Sequence, residues 1–186
     1  MVNYINSKLP MFRRLTRIAS IDARKLFSQG ILVSKITYAL PCYAGATATQ
    51  LKKVKTIYNT VMRATAGVGY NNGIHKERTD SVRRRLGWLS FEQLIEYFDI
   101  TLLVSILKTG KPVNIAQHFE QSNRDPRSFT RGNCRVNFRA KSKKMERSFV
   151  FRSVQSFNKL PMYLKTNFSG NYAERVKSYL YEKADE

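Results

Sequence analysis

The chain has 186 residues, with 33 Lys and Arg against 13 Asp and Glu, and a formal net charge of +20. Hydrophobic residues at 42% and aromatics at 12% exclude a disordered basic tail, which lacks the apolar area to offset ordering entropy. No apolar run reaches the ~20 residues of a membrane helix, and Cys42 and Cys134 alone exclude a disulfide scaffold and suit a reducing, intracellular compartment, nuclear or cytoplasmic.

In chain order, Met1 to Ser20 contains no acidic residue, and Lys8, Arg13, Arg14 and Arg17 alternate with apolar positions. An ordinary basic helix is the favoured reading, and a mitochondrial transit peptide the weaker one. Ser20 caps a helix predicted over Ile21 to Ala44, which Gly30 weakens and Pro41 kinks or ends. Thr47 or Thr49 caps the next helix, where Leu51, Val54, Tyr58, Val61 and Thr65 recur at helical spacing and Lys52, Lys55, Asn59 and Arg63 form a second stripe. Gly67 to Gly73 reads as a loop, and a short helix through Arg83 to Leu86 stops at Gly87.

Ser90 then caps a helix running through Phe91, Leu94, Phe98, Leu102 and Ile106 to Gly110. From Phe98 to Leu107 it is apolar nearly all round, so most faces of that part should be buried. Glu92, Glu96 and Asp99 share one stripe, read as solvated surface or as a pairing face for a basic neighbour. From Arg124 to Arg152 ten basic residues face only Asp125 and Glu146, and Arg135 to Arg139 alternates like a short strand. Phe149, Val154 and Phe157 return to the core, and a last helix from about Asn171 to Lys183 buries Tyr172, Val176 and Tyr179 or Leu180. The expected fold is mainly α: a multi-helix bundle with a short basic segment, extended or a β-hairpin, before the C-terminal helices. The expected division is a bundle over 1–122, a basic connector over 123–148, and a C-terminal helical segment over 149–186 that packs on the bundle.

Groups for catalysis do not gather in this sequence. His75, His118, Cys42 and Cys134 lack the spacing of a zinc site. Neither a nucleophile elbow nor a phosphate-binding loop is present. Two-metal phosphoryl transfer needs carboxylates that hold two ions, and the chain contains no adjacent Asp pair. The sequence predicts no catalytic residue, metal or cofactor, and no reaction by this chain alone.

The basic residues point to a polyanion. Lys and Arg on a phosphate backbone release condensed counterions, the main sequence-independent source of nucleic-acid affinity. The candidate binding residues are Lys52, Lys55 and Arg63; Arg83, Arg84 and Arg85; and Arg131, Arg135, Arg139, Lys141, Lys143, Lys144 and Arg147. Phe129, Phe138 and Phe149 interleave with the last group and would serve either base stacking or the core.

The order of segments resembles the C-terminal part, thumb and beyond, of reverse transcriptases of non-LTR retrotransposons (LINE, jockey-like). Ile5-Asn6-Ser7-Lys8-Leu9 through Arg13-Arg14-Leu15 is similar to the approach to that thumb. Ile31-Leu32 to Tyr38-Ala39-Leu40-Pro41-Cys42-Tyr43 is similar to its long apolar helix and tyrosine-rich turn. Leu51 to Gly67 follows its next helix, with Asn59 and Arg63 in place, and Leu86-Gly87-Trp88-Leu89 with Ile95-Glu96-Tyr97 is the most telling block. Arg124 to Arg147 resembles its basic connector. Ser148-Phe149 to Phe157-Asn158-Lys159-Leu160-Pro161 resembles its closing Trp-Asn-x-Leu-Pro motif, with Phe157 where Trp is usual.

The resemblance implies a module that grips RNA, an RNA–DNA hybrid or template–primer, partnered by the palm and fingers of the parent element, where the polymerase chemistry resides. On that analogy Lys52, Lys55 and Arg63 face the template–primer backbone, and Arg135 to Arg147 hold flanking RNA. Two other readings stay open: a basic interaction subunit of an RNA-containing assembly, and a retroelement relic without function.

Overall fold

The computed structural model describes residues 1–68, 78–122, 136, 138 and 142–183. Every regular element among them is helical: α1 (Val2–Leu15), α2 (Ile21–Phe27), α3 (Ser34–Thr37), α4 (Leu40–Tyr43), α5 (Ala48–Thr65), α6 (Thr79–Leu86), α7 (Phe91–Thr109), α8 (Val113–Ser122), α9 (Lys143–Glu146), α10 (Phe149–Asn158), α11 (Met162–Thr166) and α12 (Tyr172–Glu182), with wider π-helical turns over Ser28–Val33. None is long and apolar enough to cross a membrane.

The chain forms two compact units, one of Met1–Leu40 and Ala46–Phe91, the other of Pro41–Gly45 and Glu92–Glu186. This differs from the division expected at 122 and 148. The reason is the attachment of α7: its Asp99 is bonded to Arg152 of α10, and Gln93 Nε2 donates to the Leu180 carbonyl of α12. Sequence continuity with α6 counts for less than those contacts.

In the first unit α5 is central and packs on α1, α2, the π-helical turns and α6. A capping box starts it: Thr47 Oγ1 accepts from the Gln50 backbone N–H, and Gln50 Oε1 accepts from the Thr47 N–H. Its apolar stripe, Val54, Ile57, Tyr58, Val61 and Met62, is buried. Tyr58 stacks near Trp88 and Phe91, with ring centroids 6.2 and 6.1 Å away, and its hydroxyl donates to the Leu89 carbonyl at 2.8 Å. Burial lifts the Tyr58 phenol well above its ordinary pKa, and the nearby positive charge of Arg83 only partly opposes this.

The helix predicted over Ile21 to Ala44 starts at the Ser20 cap but changes hand-hold midway. Ser28, Leu32 and Ile36, which lie on one continuous helical stretch, are all buried, an interval of four. An α-helix drifts about 40° over each four-residue step, so a straight helix would carry this stripe off the core. The wider turns around Gly30, where the Ser34 N–H reaches back five residues to the Gln29 carbonyl, keep it in line. The helix ends at Thr37, ahead of Pro41, because Ala39 adopts a left-handed φ of 53°. Pro41 then sits in the first turn of α4, where its missing N–H costs nothing.

In the second unit the buried residues include Leu94, Ile100, Leu103, Val104, Phe119, Val154, Phe157, Leu164, Val176 and Leu180. Phe157, Phe168 and Tyr172 form a chain of ring contacts at 6.1 and 5.5 Å. The strand expected over Arg135 to Arg139 falls largely outside the described residues. At Val136, the backbone N–H and C=O are both taken by the side-chain amide of Asn158, at 3.1 and 2.8 Å, in place of a partner strand.

The acidic stripe of α7 divides. Glu92 is exposed, whereas Asp99 is 1% exposed and receives a two-pronged bond from Arg152, Nε to Oδ2 at 3.1 Å and Nη2 to Oδ1 at 3.2 Å. The same guanidinium donates to the carbonyls of Pro41 and Arg147. Gly45 lies so close beneath the Arg147 carbonyl that a Cβ there would sit 2.4 Å from its oxygen. Removing one partner of a buried pair leaves a stranded charge, so Arg152→Ala should cost about 3 kcal/mol in urea unfolding followed by circular dichroism.

Burial, outweighing the pull of Arg152 and helped by Glu96, pushes the Asp99 carboxyl up from 3.8 to about 6. A carboxyl raised in the fold stabilises it fully below the unfolded value, and that contribution fades as pH rises through about 6. Relative to Asp99→Asn, the wild-type chain should therefore gain about 1 kcal/mol between pH 7 and pH 5. Paired urea melts at the two pH values measure this, and a relative loss would contradict it.

Candidate nucleic-acid interface

The candidate binding residues occupy different settings. Lys52 and Lys55 are exposed on α5. Arg63, in the last turn of that helix, is half-buried, and its Nη2 donates to Thr79 Oγ1 at 3.2 Å. The triplet on α6 divides: Arg84 and Arg85 are exposed, but Arg83 is 3% exposed. A guanidinium inside the core beside Tyr58 cannot belong to a solvent-facing track, so Arg83 leaves the candidate surface. Arg85 donates to the Ala66 carbonyl beyond the end of α5, at 3.4 Å. In the second unit Lys143, Lys144 and Arg147 are exposed on α9 and its cap. Arg131, Arg135, Arg139 and Lys141 lie outside the described residues, as does Phe129. Phe138 is half-buried, edge-on to His118 at 6.5 Å, and Phe149 is half-buried.

A convergence of cations in the first unit includes one expected residue and three that sequence reasoning did not join to it. Arg13, Arg17, Arg24 and Arg63 line one recess of about 470 Å³ with Thr16, Thr60, Ala64, Gly67 and Val68. Among the described residues no acidic one lines it. Each wall is set by a local device. Thr16 closes α1, its Oγ1 donating to the Arg13 carbonyl at 2.7 Å, and Arg17 follows in the turn beyond. Ser20 Oγ accepts the Ala23 N–H and starts α2, which carries Arg24. Arg24 Nε then donates back to the Ala19 carbonyl at 2.9 Å, which fixes the plane of its guanidinium.

Gly67 ends α5 with φ +74°, and the Val68 N–H returns to the Arg63 carbonyl at 3.0 Å. The left-handed backbone favours glycine there, and a Cβ at position 67 would lie 2.5 Å from Arg24 Nη1, so the tip of that side chain would have to move.

Four guanidiniums, from three helices and the turn after the first, supply donors only, suited to phosphate oxygens and to no proton transfer near neutral pH. The signal in the sequence was the spacing of Arg13 and Arg17, four apart at a helix end, and the recurrence of Arg at the ends of helices. Among the described residues no three His, Cys, Asp or Glu gather where a metal ion would be held. No protein-family model matches the chain, and no match was found among curated proteins or solved structures.

Gly67→Ala should cost about 1 kcal/mol from the left-handed backbone alone, and it should also push the Arg24 guanidinium aside. Thermal melts with and without sulfate at constant ionic strength measure both effects: a lower melting temperature, and a smaller gain on adding the anion than in the wild-type chain.

Proposed function

We propose that this chain is a nucleic-acid-binding module equivalent to the thumb and post-thumb region of a non-LTR reverse transcriptase, gripping template–primer or element RNA and carrying out no polymerisation itself. The observation that carries the reading is the set of arginines converging in the first unit, Arg13, Arg17, Arg24 and Arg63, around a recess that no carboxylate lines among the described residues. Concentrating like charge in this way costs self-repulsion that a polyanion relieves. The exposed Lys52 and Lys55 extend positive charge along α5, and Lys143, Lys144 and Arg147 supply a second basic face in the other unit. The link to reverse transcriptases rests on the order of sequence blocks, with the palm and fingers of the parent element as the protein partner and no cofactor.

One observation favours a second reading, a basic interaction subunit of an RNA-containing assembly. Ile18, Leu26 and Tyr38 of the first unit are 85%, 75% and 81% exposed, apolar surface suited to a protein neighbour.

A salt titration tests the main reading. If about five phosphates are neutralised, binding to duplex DNA should fall with a log–log slope of about −4 to −5, and a primer–template hybrid should show a comparably steep dependence. Replacing Lys52 and Lys55 with Ala should flatten the slope by about two. Undetectable or salt-independent binding would remove the proposal.

A further inference from the structure

We infer that the arginine recess of the first unit is a seat for the terminal phosphate of a nucleic-acid strand, a phosphomonoester together with the diester next to it; the inference rests on the nucleic-acid reading above. Cations that follow a backbone are spread out along it, one for each successive phosphate. Here four meet in one place, brought from the end of α1, from α2 and from the last turn of α5. Such a concentration matches a ligand whose charge is itself concentrated. An internal diester carries a single negative charge, whereas a terminal phosphate carries about −1.5 to −2 at neutral pH and offers three acceptor oxygens.

Size and order agree with this. About 470 Å³ falls within the range of small-ligand sites and suits a terminal nucleotide, and the donors are partly arranged in advance. Arg24 is held by the Ala19 carbonyl and lies over the bare backbone of Gly67, and Arg63 is held by Thr79. A planar guanidinium fixed through one nitrogen loses less freedom when its other nitrogens clasp a phosphate. Arg13 and Arg17 stand exposed at the rim, and among the described residues no carboxylate pairs with Arg13, Arg17 or Arg24. The simpler role for these arginines is to offset the negative ends of α1 and α5. That role does not distinguish one end of a strand from another.

The test uses the full chain and three labelled single strands of one sequence, bearing a 5′-phosphate, a 3′-phosphate, or hydroxyls at both ends. Fluorescence anisotropy at one fixed salt concentration gives the affinities. One phosphorylated strand should bind at least about tenfold more tightly than the hydroxyl-ended strand, and which one it is identifies the end recognised. In the double variant Arg13→Gln and Arg17→Gln, at two exposed positions outside the core, that ratio should fall to near one, apart from the loss of affinity that removing two cations brings to all three strands alike. Equal binding of all three strands by the wild-type chain would overturn the inference and leave the proposed function standing. A preference that survives in the double variant would overturn it equally, by locating end recognition elsewhere. Failure to bind any strand would overturn both.

Discussion

With 13 acidic side chains for 33 basic ones, most Lys and Arg have no carboxylate to meet, and backbone carbonyl oxygens left over at helix ends and in turns take that place. Arg24 reaches the Ala19 carbonyl, Arg85 that of Ala66, Arg152 those of Pro41 and Arg147, and Arg175 those of Asn167 and Ser169. Lys165 and Lys108 do the same with Asn158 and Phe168. These bonds satisfy both the orphan carbonyls that every helix leaves and the donors of the cation. They order the side chains without neutralising them. A carbonyl is a dipole, so the net charge survives folding and stays available to a partner.

The one deeply buried carboxylate among the described residues shows the contrasting solution. Asp99 is shut away from solvent, and Arg152 gives it two bonds, from Nε and Nη2, while Nη2 also reaches the Pro41 carbonyl and Nη1 that of Arg147. That single guanidinium joins α7, α10, the cap of α9 and the segment 41–45. It explains why the second unit includes five residues drawn from the first third of the chain. Gly45 completes the arrangement by letting backbone meet backbone.

What could be read in advance was local. The cap of α5, left open between Thr47 and Thr49 and taken by Thr47, the stops at Gly87 and Gly110, and the buried face of α12 each depend on residues within a turn or two. The interval of four through Ser28, Leu32 and Ile36 was also in the sequence, but an α-helical period hides it, because polar Ser28 is not expected in a core. Charge alone did not separate Arg83 from Arg84 and Arg85; only the packing of Val82, Leu86 and Tyr58 decides that one of three adjacent arginines faces inward. The recess was beyond reach for another reason. Arg24 and Arg63 are brought together by the helices that carry them and by a left-handed glycine between their ends, and nothing in either local segment announces the other.

The position of Trp88 has a practical consequence. It is the chain's single tryptophan, sealed in the first unit beside Tyr58, with an indole N–H that meets no acceptor among the described residues. Light absorbed selectively by indole is therefore emitted from the first unit alone, while the second, which holds only tyrosine and phenylalanine as chromophores, stays dark. The molecule has a built-in lamp in one of its halves, so melting of that half can be watched in isolation, without attaching a dye.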